Sequence, residues 1–435
     1  MKIVHIMKFN TLTASDIDRR GIQTHEPRWL RQQRIHAWEA FQASEYPNWK
    51  KTKTPKIDLE ESTKHEFPHG VSVDYKIQKK TPEGCSGKIT FHGGKVIRHS
   101  LDPELAYKGV IFCDMQTAVL ERADLLEGYI KESSWGVLDK LTHFQKTFWE
   151  NGFFLFVPKG MQLSEPFLVQ IIQQDPNESI INRSVIIADE ASSVIVEEIF
   201  ESKHTQVETI TCMSATEVFA EKSARVKYFS HQDWSDNVYD LSYRRLHAEM
   251  DAHIQALFTI TGAGAGRTVI TGSAEQKGAS IEHDAIIVGR KKQRFKIIAE
   301  IDHQAEHTQG MMKYKGILKD QSYSDLSGLI TVRPLAQMTQ SRLEEHTLLL
   351  SEKARCDALP ALNIQTDNVQ VSHAAAVTQA DAEKMFYLMS RGLSEAQARA
   401  LIVEGFFENL LSLITRQECY DQTKQRIEAK MLTPQ

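Results

Sequence analysis

The spacing of apolar positions changes character twice along the chain. Trp135, Leu138, Leu141, Phe144 and Phe148 recur at threes and fours, which predicts a helix with one aromatic face. Ser134 is its expected cap and Asn151-Gly152 its stop. Between Phe153 and Val377 the pattern becomes short alternating or β-branched runs, among them FFLFV, SVIVEEI, IQALFTI, RFKIIAEI and GLITV, separated by Gly, Asn, Asp, Pro and Ser. A stretch of that length without a helical period favours an all-β unit. Alternation does not say whether neighbouring strands run parallel, so sandwich, barrel and parallel solenoid all stay open at this point.

After Val377 the helical period returns. Thr378 with Asp381 is read as a cap, Ala382, Met385, Phe386 and Met389 as one apolar face, and Gly392 as the stop. If that face is fully buried, Phe386→Ala should cost about 3–5 kcal/mol. Ser394-Glu395-Ala396-Gln397 then reads as a capping box opening a second helix with Ala398, Leu401, Ile402, Leu410 and Leu413 on its stripe. The first hundred residues are the least patterned: a helix-compatible stretch from His25 to Trp49, then a charged, linker-like run from Lys50 to Glu66. These shifts divide the chain into residues 1–150, 151–377 and 378–435.

Composition narrows the class of partner. The 435 residues carry 52 Lys and Arg against 57 Asp and Glu, a formal charge of −5, which argues against a surface built to neutralise nucleic-acid phosphates. Apolar residues make up 41% and charged residues 25%, enough to build sizeable cores without staples. The five cysteines, Cys85, Cys113, Cys212, Cys356 and Cys419, are odd in number and far apart, so they form neither a metal knuckle nor a secreted disulfide framework. His5 and Lys8 interrupt the first residues and no apolar run nears the roughly 20 residues of a membrane-spanning helix, so a cytoplasmic protein without membrane insertion is expected.

Few constellations carry chemistry. Gly262-Ala263-Gly264-Ala265-Gly266-Arg267-Thr268 lacks the lysine and spacing of a phosphate loop and reads as a turn, so no ATP is expected to bind this chain. His303 and His307 have a helical metal-ligand spacing, but the strand-like flank RFKIIAEI would separate them by about 13 Å, so they are read as polar turn or edge residues. Glu197 and Glu198, adjacent in a strand, face opposite ways and make no acid/base pair. In Asn368 to Val377, alternation puts His373 on one face with Val369, Val371, Ala375 and Val377, either as a satisfied core or interface histidine or as a neutral nitrogen ligand. Cys356 is either a small core thiol or, with Arg355 beside it, a thiolate.

The string LLLSEKARCDALPALNIQTDNVQVSHAAAV, from Leu348 to Val377, followed by FYLMSRGLSEAQARALIVEGF, from Phe386 to Phe406, resembles the C-terminal signature of the SufB/SufD family, its SufD members in particular. NGFFLFVPKGMQLSEPF from Asn151, RSVIIADEASSVIVEE from Arg183 and YKGILKD from Tyr314 extend the similarity upstream in order. The resemblance implies a right-handed parallel β-helix core over 151–377, flanked by a mostly helical N-terminal domain over 1–150 and a C-terminal helical domain over 378–435. It further implies a non-enzymatic scaffold in iron–sulfur cluster assembly, acting in a SufBCD complex whose SufC ATPase supplies ATP hydrolysis. A transient iron–sulfur cluster shared with a SufB-like subunit is the implied cofactor, with His373 as a cluster or iron ligand at the seam and Cys356 as an auxiliary thiol. An imidazole and a thiolate are both competent iron ligands.

The ATPase-docking surface implied by the resemblance takes in Phe386, Tyr387, Arg391, Gly392, Leu401 and Phe406. A heterodimer with a SufB-like subunit and a homodimer in isolation both fit. Departures from the family pattern are Val371 where SufD members often carry cysteine, Ala374 for glycine, and Asn363 where glutamate is common; the Glu-His-Glu string of SufB is absent. A purely structural β-solenoid interaction protein and a β-helix enzyme acting on polysaccharide are the competing readings.

Overall fold

The computed structural model describes residues 12–47, 76–77, 81–132, 139–175, 179–202, 209–379 and 382–432. Its centre is a parallel β-solenoid of about 7 turns, in which each turn gives one strand to each of two sheets. The even-numbered sheet takes β6 (Phe167–Gln173), β8 (Ser193–Ser202), β10 (Arg225–Asp233), β12 (His253–Ile260), β14 (Ser280–Gly289), β16 (Gln309–Leu318), β18 (Gln340–Leu349) and β20 (Gln370–Gln379). The other takes β5 (Phe153–Val157), β7 (Ile180–Ala188), β9 (Ile210–Ala220), β11 (Val238–Ala248), β13 (Ala265–Ala274), β15 (Arg294–His303), β17 (Tyr323–Val332) and β19 (Arg355–Ile364).

The parallel register explains why alternating sequence folds this way. Side chains in register face the same side of a sheet, so Ile186, Val218, Leu246, Gly272, Ile301 and Ile330 stack as one inner column. Val194, Val226, Ile254 and Ile281 stack opposite. All of these apolar side chains are buried, and each such burial contributes about 1.5–3 kcal/mol. At one corner the turns repeat a left-handed residue: Ala191, Ser223, Asp251, Gly278, His307 and Met338 all have positive φ. Their amides form a ladder, each donating to the next turn, as Ser223 does to Met250 and His307 to Gln337.

The start of the solenoid is closed. β2 (Gly87–His92) joins β6 in parallel and forms an antiparallel pair with β3 (Lys95–Leu101), beyond which lies β1 (Lys76–Ile77). β4 (Ile111–Asp114) runs antiparallel to β5. The sheets therefore begin inside the first 150 residues, ahead of the boundary at 151. The helices of that region are α1 (Ala14–Gln23), α2 (Arg28–Ala43), α3 (Pro103–Tyr107), α4 (Met115–Glu121), α5 (Ala123–Glu132) and α6 (Lys140–Phe148).

α2 and α6 lay Trp29, Leu30, Trp38, Phe41, Phe144 and Phe148 on the outer face of the odd-numbered sheet. Arg34 of α2 donates to the carbonyls of Thr147 and Trp149, closing the end of α6. The aromatic-faced helix is thus real but starts later than expected. Asp139, whose carboxylate accepts from Leu141 and Thr142, is its cap; Ser134, Trp135 and Leu138 lie outside the described residues.

The C-terminal region holds α7 (Ala382–Ser390), α8 (Glu395–Leu411) and α9 (Gln417–Leu432). Thr378 is part of β20, not a helix cap, because the strand runs on through Gln379. Ser394 and Gln397 form the expected capping box of α8. The α8–α9 segment supplies Val403, Phe407, Leu410, Cys419, Ile427 and Met431 to a cluster with Phe229, Leu257, Ile286, Val288, Ile317 and Leu348 on the outer face of the even-numbered sheet. Arg416 pairs with Glu197 at 2.8 Å and Lys430 with Asp233. The tail is therefore strapped to the solenoid.

Candidate functional site: the open end of the solenoid

The last turn differs from those beneath it. β19 and β20 are the outermost strands of their sheets, and among the described residues no strand pairs on their far edges. Leu359, Ile364 and Val377 are large apolar side chains exposed there. Unpaired edge strands present rows of free amides and carbonyls that invite another chain.

His373 stands on β20, solvent-exposed and in register with Leu343 of β18. Leu343 is fully buried in the solenoid interior, so the imidazole sits on the interior-facing row of a turn that nothing covers. Cys356 stands on β19, half-buried, and its thiol donates to Thr347 Oγ1 at 3.3 Å. Burial pushes this thiol up, ahead of the opposing pull of the Thr347 hydrogen bond. The Arg355 guanidinium is spent on the carbonyls of Glu352 and Ala354. Of the two readings of Cys356, half-burial and a guanidinium engaged elsewhere favour the small core thiol over the thiolate.

The two residues are not brought together. Cys356 meets Thr347, which is in register with Val377, and His373 lies four residues earlier on the same strand, about 13 Å away at strand rise. Among the described residues no group of three or more His, Cys, Asp or Glu side chains has metal-holding geometry.

One residue at this end escaped the sequence reading. Glu345 of β18 lies between Tyr314 and Ala375 in the ladder, is 1% exposed, and has no hydrogen-bond partner for either carboxylate oxygen. Burial pushes it up to about 7. A signal was available: Leu343, Glu345 and Thr347 alternate on one face of a strand whose apolar members point inward.

The hairpin of α7 and α8 leaves an apolar surface open. Phe386 is 74% exposed, and Tyr387, Met389 and Leu401 are exposed beside it. The condition set for a costly Phe386→Ala, full burial of that face, is not met, because the sheet's outer face is already occupied by α8 and α9. Arg391 stacks over the Tyr387 ring at 5.2 Å, and Gly392 takes a positive φ of 96° where the chain turns. Phe406 is placed differently: it packs on the solenoid side, with Lys315 Nζ 5.2 Å from its ring and bonded to its carbonyl.

The remaining constellations are structural. Gly262 and Gly264 form a tight turn; a Cβ at Gly262 would lie 2.2 Å from the Trp234 backbone, so only glycine fits. His303 bonds Thr308 and Ser341 inside the solenoid, and His307 is one rung of the corner ladder. Glu197 and Glu198 do face opposite ways: the first reaches Arg416 outside, the second Tyr228 and Thr216 inside.

Comparison with known proteins fits this architecture. Residues 171–406 match the family described as SUF system FeS cluster assembly, SufBD core domain, and residues 12–171 match the SufBD protein N-terminal region. The chain is 28% identical over 421 residues to the iron-sulfur cluster assembly protein SufD of Bacillus subtilis (strain 168), covering 93% of this chain and 95% of that protein. It is 25% identical over 412 residues to an iron-sulfur cluster assembly SufBD family protein of Staphylococcus epidermidis, covering 91% and 88%, and 26% identical over 400 residues to one of Staphylococcus haemolyticus, covering 88% and 85%. With a matched core domain that spans more than half its length and takes in most of the solenoid, the chain belongs to the SufBD family of iron–sulfur cluster assembly proteins and is a SufD homologue.

Proposed function

We propose that this protein is the SufD-like scaffold subunit of a SufBCD-type complex, supporting de novo iron–sulfur cluster assembly at its seam with a SufB-like subunit. The observation that carries the reading is the open last turn: two edge strands, exposed apolar side chains and an uncovered imidazole share one end of the molecule. A SufB-like subunit seated there would pair the edges and bury Leu359, Ile364 and Val377. His373 then contributes a nitrogen ligand to a cluster held transiently at the seam. An exposed, interior-facing imidazole on an apolar strand suits that role, since it gains a shielded environment only when the seam closes.

In this reading the chain is not an enzyme, binds no ATP, and works in the cytoplasm. A SufC-like ATPase docks on the exposed surface of Phe386, Tyr387, Arg391 and Leu401, with Gly392 fixing the turn between the two helices. Phe406 supports that surface from its solenoid side. The sugar-cleaving alternative is disfavoured because Glu197 and Glu198 are both tied into structural contacts.

Affinity purification of the full chain under anaerobic conditions tests the assembly. Co-elution of a SufB-like and a SufC-like chain is the expected result, and recovery of the chain without either would sink it.

A further inference from the structure

The N-terminal helices cover the outer face of the odd-numbered sheet only in part. Their cluster reaches Ala265, Val269 and Ile298, and among the described residues it includes none from β17 or β19. On the uncovered part Arg294, Tyr323 and Arg355, the first residues of β15, β17 and β19, stand in one register row. Two residues before each, on the turns leading into the strands, come Lys292, Gln321 and Lys353. The two rows line a groove of about 410 Å³.

The charge of this lining has one sign. No acidic residue lines the groove, and among the described residues no ion pair reaches Lys292, Arg294, Lys353 or Arg355. Arg294 lies over the Tyr323 ring at 5.9 Å, and Arg355 is fixed by Nη1 on the carbonyls of Glu352 and Ala354; neither contact neutralises a charge. Neighbouring carboxylates are engaged elsewhere. Asp325 pairs with Lys296 at 2.9 Å, Asp357 accepts from the Tyr323 hydroxyl at 3.0 Å, and Asp320 accepts from the Lys291 amide at 2.7 Å. Glu352 is exposed beside Lys353. In a chain of formal charge −5 this is a local reversal of sign, and a cleft lined by one sign concentrates the other.

The layout selects among anions. The backbones at Arg294 and Arg355 are two strand spacings apart, about 10 Å, with uncharged Tyr323 between them, and the lysine row lies about 7 Å away along the chain. A phosphate gathers its charge at one point and is ordinarily met by glycine-rich amides or a helix N-terminus; neither lines this groove. Carboxylates at alternate positions of an extended chain recur about every 7 Å and match cations spread in this way.

We propose that this groove is a docking site for an acidic, extended segment of a partner protein, separate from the open end and from the α7–α8 surface. Binding needs neither the SufB-like nor the SufC-like subunit, so this proposal and the scaffold reading can fail independently.

Fluorescence anisotropy on the purified full chain tests it, with a labelled decapeptide of alternating Glu and Gly as the probe and its Gln-for-Glu counterpart as control. The acidic peptide should bind, the neutral one should not, and added salt should weaken binding. Lys292→Gln with Arg294→Gln, and separately Lys353→Gln with Arg355→Gln, should each weaken binding at least threefold, and all four together at least tenfold. Arg225→Gln with Lys227→Gln removes the same charge from an exposed part of the other sheet and should leave binding unchanged. Equal weakening by that control pair, or full binding by the fourfold variant, overturns the proposal. So does a chain that binds inorganic pyrophosphate through the four cations and ignores the peptide, which would make the groove a phosphate site.

Discussion

At the residue scale, burial in the solenoid interior disfavours the charged form of several histidines and carboxylates. His283 of β14 is fully buried between Tyr314 OH at 2.9 Å and the Glu300 carbonyl at 3.2 Å, and desolvation lowers its pKa to about 4. A histidine whose pKa falls on folding stabilises the fold above its unfolded value of 6.5, and that contribution is lost as the pH drops through 6.5 toward 4. Urea unfolding at pH 7.5 and pH 4.5 should therefore show an acid-side loss of up to about 3 kcal/mol from this residue. His283→Gln should flatten that limb; a wild-type and a variant profile of equal slope would contradict the assignment. The residues of the open end, Glu345, Cys356 and His373, differ in legibility. Alternation alone put His373 on its face. Nothing in a single sequence says that Glu345 has no partner, because its would-be neighbours at Gly328 and Ala375 are 17 and 30 residues away.

At the element scale, strands were readable and their mutual direction was not. Period two fixes which side chains share a face but is the same for parallel and antiparallel neighbours. The turn-to-turn repeat was hidden because the inner columns exchange residues freely: Leu246 stacks on Gly272, which stacks on Ile301. The third C-terminal helix, α9, was missed for a related reason. Its buried stripe is Cys419, Thr423, Ile427 and Met431, spaced at fours but half of it weakly apolar. α7 shows the opposite case, an apolar face that is legible yet uncovered. Because Phe386 is largely exposed, Phe386→Ala should change stability by no more than about 0.5 kcal/mol. Combined with Leu401→Ala it should weaken capture of a SufC-like ATPase in a pull-down; full capture by the folded double variant would move the docking surface elsewhere.

At the scale of the whole molecule, one end of the solenoid is closed by antiparallel strands and the other is left open. One sheet's outer face is covered by N-terminal helices and the other by α8 and α9. Removing everything after residue 379 would therefore bare Phe229, Leu257, Ile286 and Ile317, so the tail is part of the core and not a detachable module. Among the described residues the last turn and the α7–α8 surface stay uncovered, the two places that the proposed scaffold role assigns to a subunit and an ATPase. The N-terminal contribution to the sheets was the least legible part, since β2, β3 and β4 come from a stretch without a sustained period.

The claim that joins these levels is that His373 works at the seam. Anaerobic cluster reconstitution on this chain combined with the proposed SufB-like and SufC-like partners, with iron and sulfide measured per complex, tests it most directly. The account predicts that His373→Ala assembles into the complex normally and loses most of its iron and sulfide. Undiminished iron and sulfide in that variant would contradict it.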